Sequence, residues 1–193
     1  MKLLHLASLF CLLLQLSLPS QTLQFYREDM EFTLRSDTFY VNGLYYYRNT
    51  DTAAIKKVLF YPFPENPSMG EAGNLKARNL TIDKEKDITL RSNRNGAMIG
   101  LEVAPNDSAI LQVRYSQKVI GNQAEYIITT TKNWGRPLDI ANYILRVPED
   151  QYIIDSLSYK PDTCFHPKGE YVYVFSKKNF MPERNIVIYF KNK

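Results

Sequence analysis

The sequence predicts an all-β protein whose antiparallel strands pack as an immunoglobulin-like or jelly-roll-like β-sandwich. About eleven short runs alternate apolar and polar residues and recur roughly every ten residues, as in sandwich domains. Turns rich in Gly, Pro and Asn separate these runs. Beyond the first residues, no apolar stripe has the 3.6-residue period of a helix. A closed β-barrel is the alternative that the same pattern allows.

The first strands are predicted over residues 30–34, 39–47 and 55–63. The second run passes through Asn42-Gly43, which is also a strong two-residue hairpin signal. We favour one strand, with a bulge or a close approach at the glycine. Pro62 lies near the end of the third run and Pro64 just after it, and each proline lacks the N–H that a central strand would donate. It is therefore expected at a sheet edge.

The middle of the chain predicts a long loop followed by a hairpin. Residues 65–74 combine Pro, Gly and polar residues without periodicity, which is typical of a mobile loop. Asn93-Arg94-Asn95-Gly96 predicts a tight turn. Strands are expected over 75–82, 88–92, 97–103 and 109–119.

The stretch from Glu125 to Val147 is the one around which the chain is expected to be organised. Alternation with β-branched residues predicts a strand from Glu125 to Trp134 and a second strand from Asp139 to Val147. Gly135-Arg136-Pro137 joins the two, either as a hairpin or as a corner where the chain changes sheets. The last strands are expected over 152–159, 171–175 and 186–190.

Residues 1–20 have the three regions of a secretory signal peptide: a lysine, a leucine-rich run and a small residue before the cleavage point. The leucine-rich run is about half the length of a membrane-spanning helix. We therefore expect export to the periplasm, the cell surface or the medium, with no stable membrane anchor after cleavage. Residues 21–193 are expected to form one sandwich domain.

Charge and cysteine content exclude several classes of function. The formal net charge is +4 without a cluster of Lys or Arg, so no nucleic-acid partner is expected. Of the two cysteines, Cys11 lies in the leader, so Cys164 has no internal partner. An intermolecular disulfide at Cys164 is the pairing that remains.

Three aromatic or basic residues are candidates for ligand binding. Trp134 offers an indole face and Arg136 a forked donor, a pair suited to a glycan or a peptide. A core or corner anchor is the alternative role for Trp134. Tyr46 lies in a run of three tyrosines, so it points away from Tyr45 and Tyr47 and is expected on the exposed face.

Candidates for catalysis are few. Cys164 and His166 are the only thiol and imidazole outside the leader, and a nucleophile with a base is the enzymatic hypothesis they allow. Residues 83–87 alternate acids with lysines, and the lysines offset the negative charge that a calcium site needs. The sequence contains neither a zinc-binding HExxH helix nor a glycine-rich phosphate loop. No separated pair of carboxylates is expected in an apolar context that would raise the pKa of one and mark it as a general acid. No metal and no cofactor are therefore predicted.

Two segments resemble a known domain. Val41 to Asn49 (VNGLYYYRN) and Val58 to Pro62 (VLFYP) are similar to the opening strands of the non-catalytic N-terminal β-domain of gluzincin zinc aminopeptidases. The likeness covers about a quarter of the chain, a length typical of a few strands. The chain as a whole resembles small exported bacterial β-sandwich proteins of uncharacterised function. The resemblance implies an accessory β-module, and it assigns no functional residue.

Three functions follow from these observations. The leading hypothesis is a non-enzymatic, exported binding or interaction module of the cell envelope, whose partner is a protein, a glycan or an envelope component. The second is an enzyme that uses Cys164 and His166. The third is a structural surface component that self-associates along the edge strand at residues 55–63.

Overall fold

The structure is a computed structural model that describes residues 22–193, so the predicted signal peptide lies outside the described residues. Thirteen strands and one 3₁₀ helix form this part of the chain. The strands are β1 Leu23–Arg35, β2 Thr38–Asn49, β3 Ile55–Pro62, β4 Met69–Asn79, β5 Thr89–Asn93, β6 Gly96–Val103, β7 Ser108–Val119, β8 Gln123–Tyr126, β9 Leu138–Pro148, β10 Tyr152–Leu157, β11 Thr163–Phe165, β12 Glu170–Phe180 and β13 Ile186–Asn192. The 3₁₀ helix spans Thr129–Trp134.

The strands form one large sheet and two small ones. The large sheet has the order β11-β12-β9-β1-β2-β7-β4, and the small sheets have the orders β10-β13-β8 and β3-β6-β5. Every strand pair is antiparallel except β1 with β9, which is parallel. Each sheet has free edges, so the described residues form a sandwich rather than a closed barrel, as the leading prediction had it.

The core lies between the large sheet and the two small ones. Buried side chains from all three sheets belong to one apolar cluster. Ring pairs cross the gap on both sides, with Phe32 of β1 5.0 Å from Tyr126 of β8 and Tyr45 of β2 5.8 Å from Tyr61 of β3. The alternation read from the sequence thus places one flank of each strand in a shared interior.

Several predicted elements are confirmed. β3 is an edge strand of its sheet, and β5 pairs with β6 from Asn93 to Gly96 across a tight turn. β2 is one strand through Gly43, with no shift of register there. A Cβ at Gly43 would lie 2.6 Å from Met30 Cε and 2.7 Å from the Tyr45 hydroxyl. The glycine is therefore needed because neighbouring side chains cross it, and the bulge alternative is wrong.

The strand predicted before the Gly-Arg-Pro link is wrong over most of its length. The strand expected from Glu125 to Trp134 ends at Tyr126, and Thr129–Trp134 forms the 3₁₀ helix. Gly135 ends this helix in the left-handed conformation, with φ 64°. The Gly-Arg-Pro link is then a corner, since β8 lies in a small sheet and β9 in the large one.

The loop expected over residues 65–74 is largely strand. β4 begins at Met69 and pairs with β7 through two register shifts, which absorb the residues that lack alternation. The side chain of Gln117 on β7 donates to the backbone carbonyls of Pro64 and Gly70 and fixes this irregular start. Residues 22–193 contain no helix that is long and apolar enough to span a bilayer.

Candidate functional site

A cavity of about 280 Å³ lies between β1 and β2 of the large sheet and the small sheet that contains β3. The 3₁₀ helix covers one side of it. Most of its wall is aromatic or aliphatic. One acidic side chain lines it, Glu28, together with the aromatic residues Phe25, Tyr45, Tyr47, Tyr61, Tyr126 and Trp134.

Glu28 reaches this interior because β1 contains a β-bulge. The register with β2 shifts between Phe25 and Arg27, so Tyr26 is the extra residue. Such an insertion changes which side chains point inward. Phe25 faces the core before the bulge, and Glu28 and Met30 face it afterwards.

Glu28 is 2% exposed, which is unusual for a carboxylic acid. Burial is the largest cause that raises its pKa, from 4.5 to about 7, and the neighbouring negative charge of Asp29 raises it further. The Tyr143 hydroxyl of β9 donates a hydrogen bond to Glu28 Oε1, which lowers the pKa in part. This single buried carboxylate with a raised pKa was not predicted from the sequence.

No lysine or arginine of the described residues forms an ion pair with Glu28. The nine ion pairs among residues 22–193 all involve other acids. A buried carboxylate without a cationic partner is costly in its ionised form. Near neutral pH the raised pKa therefore leaves neither the neutral nor the charged form of Glu28 strongly favoured.

Three tyrosine hydroxyls cluster at one end of the cavity. Tyr45 Oη is 2.5 Å from Tyr126 Oη and 2.8 Å from Tyr61 Oη. Burial raises the pKa of all three well above the ordinary value of 10. They stay neutral at physiological pH and offer both donors and acceptors. The nearby Tyr115 hydroxyl is buried without a hydrogen-bond partner.

Trp134 stands at another side of the cavity. Its ring is 5.4 Å from Tyr47 and 5.8 Å from Phe25, measured between centroids. The ammonium of Lys57 on β3 lies 4.9 Å from the centre of the indole ring, a cation–π distance. Trp134 is therefore packed against the core as an anchor and also lines the cavity.

The other two predicted ligand-binding residues lie elsewhere. Arg136 donates to Gln24 at 2.7 Å and to Asp139 at 2.7 Å, so its fork fixes the corner between β8 and β9. Tyr46 lies on the outer face of the large sheet, where the guanidinium of Arg27 lies 4.7 Å from its ring centre. The structure does not bring the three residues into one site, and a role in binding for Arg136 and Tyr46 stays a prediction.

Cys164 and His166 lie on and just after β11, at the edge of the large sheet. Cys164 is an exposed free thiol. The His166 imidazole contacts the Glu149 carboxylate and stacks on Tyr171 with ring centres 4.5 Å apart. Neither residue is among those that line the inter-sheet cavity.

The sequence pattern around Glu28 indicates that its side chain points into the core. Glu28 precedes Met30 by two residues and therefore continues the inward-facing series at Phe32 and Leu34. The tyrosine cluster had no such signal, because Tyr45, Tyr61 and Tyr126 come from three strands that only the tertiary structure brings together.

Fold and cavity together define an all-β sandwich with an inter-sheet cavity, and comparison with known proteins agrees on the fold. No family model matches the sequence, and no curated protein matches it. Among solved structures, a candidate nutrient-binding protein from Legionella pneumophila superposes with a TM-score of 0.62 at 9% identity. The match covers 89% of this chain and 67% of the Legionella chain.

An M1 zinc metallopeptidase from Deinococcus radiodurans is also similar, with a TM-score of 0.48 and 11% identity. That match covers 88% of this chain but 42% of the peptidase, so the chain spans less than half of the enzyme's length. This enzyme is a zinc metallopeptidase, as are those whose N-terminal β-domain residues 41–49 and 58–62 resemble. At these identities the likeness concerns the fold alone.

Proposed function

We propose that this protein is a non-enzymatic binding module that acts after export in the cell envelope, and that it takes a small ligand into the inter-sheet cavity. The observation that carries the proposal is the composition of that cavity. Its walls are mainly apolar and aromatic, while Glu28, the tyrosine hydroxyls and the polar side chains of Lys57, Thr130, Thr131 and Asn133 supply the polar contacts. Ligand sites commonly combine these two features.

The cavity size limits the ligand to a small molecule. A volume of about 280 Å³ is near the lower end of ordinary ligand pockets, which start at roughly 300 Å³. An apolar cavity of about 150 Å³ accommodates benzene. A single ring with a short polar extension is therefore the expected size. The description of the Legionella structure as a candidate nutrient-binding protein is compatible with this proposal.

Trp134 provides the assay, because it is the only tryptophan of the chain and it lines the cavity. A panel of amino acids, monosaccharides, small aromatic amines, alcohols and acids is titrated while indole emission and melting temperature are followed. We expect at least one compound to shift both. Thr130→Phe, which narrows the cavity, should abolish the shift, and Tyr46→Phe on the opposite face of the sheet should preserve it. If no compound changes either signal, the proposal is wrong.

A second candidate function is self-association along β3. This edge strand exposes Val58 and Phe60, which are 53% and 58% accessible. An exposed apolar edge is a template for pairing with another chain. Sedimentation at rising protein concentration tests the idea, since Val58→Lys should weaken any dimer that forms along this strand. A strict monomer at millimolar concentration would contradict it.

A further inference from the structure

The chemistry of the cavity also indicates which ligand charge it favours. Glu28 supplies a carboxylate that no basic side chain of the described residues neutralises. Its one protein hydrogen bond, from Tyr143, engages a single oxygen. A cation in the cavity would therefore meet an acid that is otherwise costly to ionise.

The walls around this acid favour the same sign of charge. Aromatic ring faces carry partial negative charge and attract ammonium groups. Phe25, Tyr45, Tyr47 and Trp134 present such rings to the cavity. The chain itself shows this attraction, because the Lys57 ammonium lies 4.9 Å from the indole centre. Acid and rings are independent features of the site that favour a cation, and the Lys57 ammonium on the same wall limits that preference near Trp134.

We propose that the cavity binds organic ammonium ions with a compact apolar body, whose charged end meets the Glu28 carboxylate and whose body lies against the aromatic wall. The inference rests on the proposed binding function and specifies the class of ligand. Neutral polyols of the same size gain no charge–charge attraction from Glu28, and carboxylates are repelled by its ionised form, so neither class is the preferred ligand.

The affinity for ammonium ions must then depend on pH. The titratable groups around Glu28 decide whether this affinity rises or falls with pH. Besides burial, Asp29 on β1 and Tyr143 on β9 shift the pKa of Glu28. The charge of Glu28 in turn adds to burial in raising the pKa of Tyr45 and Tyr47 on β2, Tyr61 on β3 and Tyr126 on β8, and Lys57 lines the same cavity. Burial raises the pKa of each of the five tyrosines above 10, so they keep their protons near neutrality. Glu28 is the group that changes charge, and its ionised form is the one that binds.

The test uses benzylamine with two matched compounds, benzyl alcohol and benzoate. Calorimetry and Trp134 emission give the affinity of each from pH 5.5 to pH 8.5 at constant ionic strength. Benzylamine should bind at least about tenfold more tightly at pH 8.5 than at pH 5.5, since binding below the pKa of Glu28 requires loss of one proton. The affinity for benzyl alcohol should not rise with pH.

Glu28→Gln is the matched variant, because it keeps the shape and removes the charge. Glu28→Gln should weaken benzylamine binding by about tenfold or more at pH 8.5, since a tenfold change in affinity corresponds to one pKa unit of interaction. The variant should also abolish the pH dependence of benzylamine binding. The pH series on the unaltered protein tests the inference even if this variant does not fold.

The outcomes separate the two proposals. If benzyl alcohol or benzoate binds as tightly as benzylamine, or if benzylamine binding does not change with pH, the ammonium inference is wrong and the binding function stands. If no compound of the wider panel changes Trp134 emission, both proposals are wrong.

Discussion

Replacing Glu28 by glutamine should change the pH dependence of stability in a way that no exposed acid can imitate. Glu28 titrates near pH 4.5 in the unfolded chain and at about pH 7 in the folded protein. Between these values the folded protein holds a proton that the unfolded chain has lost. The contribution of Glu28 to stability must therefore fall as pH rises through this window, and that contribution is flat below and above it.

The size of the effect follows from the shift. The difference between 4.5 and about 7 corresponds to about 3 kcal/mol at 1.36 kcal/mol per pKa unit. Most of this loss falls between pH 5 and pH 8. Glutamine is neutral throughout and retains a carbonyl that can accept the hydrogen bond from Tyr143. The stability of Glu28→Gln relative to the unaltered protein should thus rise by about 2 to 3 kcal/mol from pH 5 to pH 8.

Urea unfolding at pH 5, 6, 7 and 8 measures this difference, with Trp134 emission as the signal and equal m-values as the condition for comparison. Glu31→Gln is the control, since Glu31 lies on the same strand with 44% of its side chain exposed beside Arg146. Its stability difference should stay nearly constant, because solvent screens an exposed charge. A difference for Glu28→Gln that varies by less than about 1 kcal/mol across the range would refute the reasoning.

Three further predictions concern packing and the free thiol. Tyr45→Phe removes the hydroxyl at the centre of the tyrosine cluster and should cost about 1 to 2 kcal/mol of unfolding free energy, while Tyr115→Phe, which removes an unpartnered hydroxyl, should be neutral or stabilising. Gly96→Ala places a Cβ 2.5 Å from the backbone carbonyl oxygen of Tyr61 on β3 and should lower the free energy of unfolding by about 2 kcal/mol or more. The Cβ of Gly73→Ala would meet no atom within 4 Å, so this variant should be tolerated. Chemical unfolding measures all four, and equal values within either pair would contradict them. Oxidation should link two copies through the exposed Cys164, giving a dimer on a non-reducing gel that Cys164→Ser lacks.

Local alternation was enough to predict the sandwich, because it records which flank of a strand is buried. β7 and β9 match their predicted ranges closely for this reason. The edge position of β3 followed from Pro62 at its end and Pro64 just after it, because proline has no N–H to donate to a neighbouring strand.

The errors arose where tertiary contacts override the local pattern. The threonines before Trp134 have strand propensity, yet they form a 3₁₀ helix that brings the indole against Phe25 and Tyr47. β4 begins within a predicted loop because side-chain bonds from Gln117 hold its irregular start. Alternation extends the inward-facing series back to Glu28, but it could not bring Phe25 to the same cavity, since a bulge at Tyr26 shifts the pattern between Phe25 and Glu28.

The parallel pairing of β1 with β9 sets an order of events during synthesis. Arg27 aligns with Ile140, so the middle of the large sheet cannot close until the ribosome has passed the corner at Gly135. The hairpin of β1 and β2 is complete much earlier and leaves one flank of β1 unsatisfied while the intervening strands are made. A nascent chain arrested between β2 and β9 should therefore be the species most prone to aggregate and most in need of a chaperone.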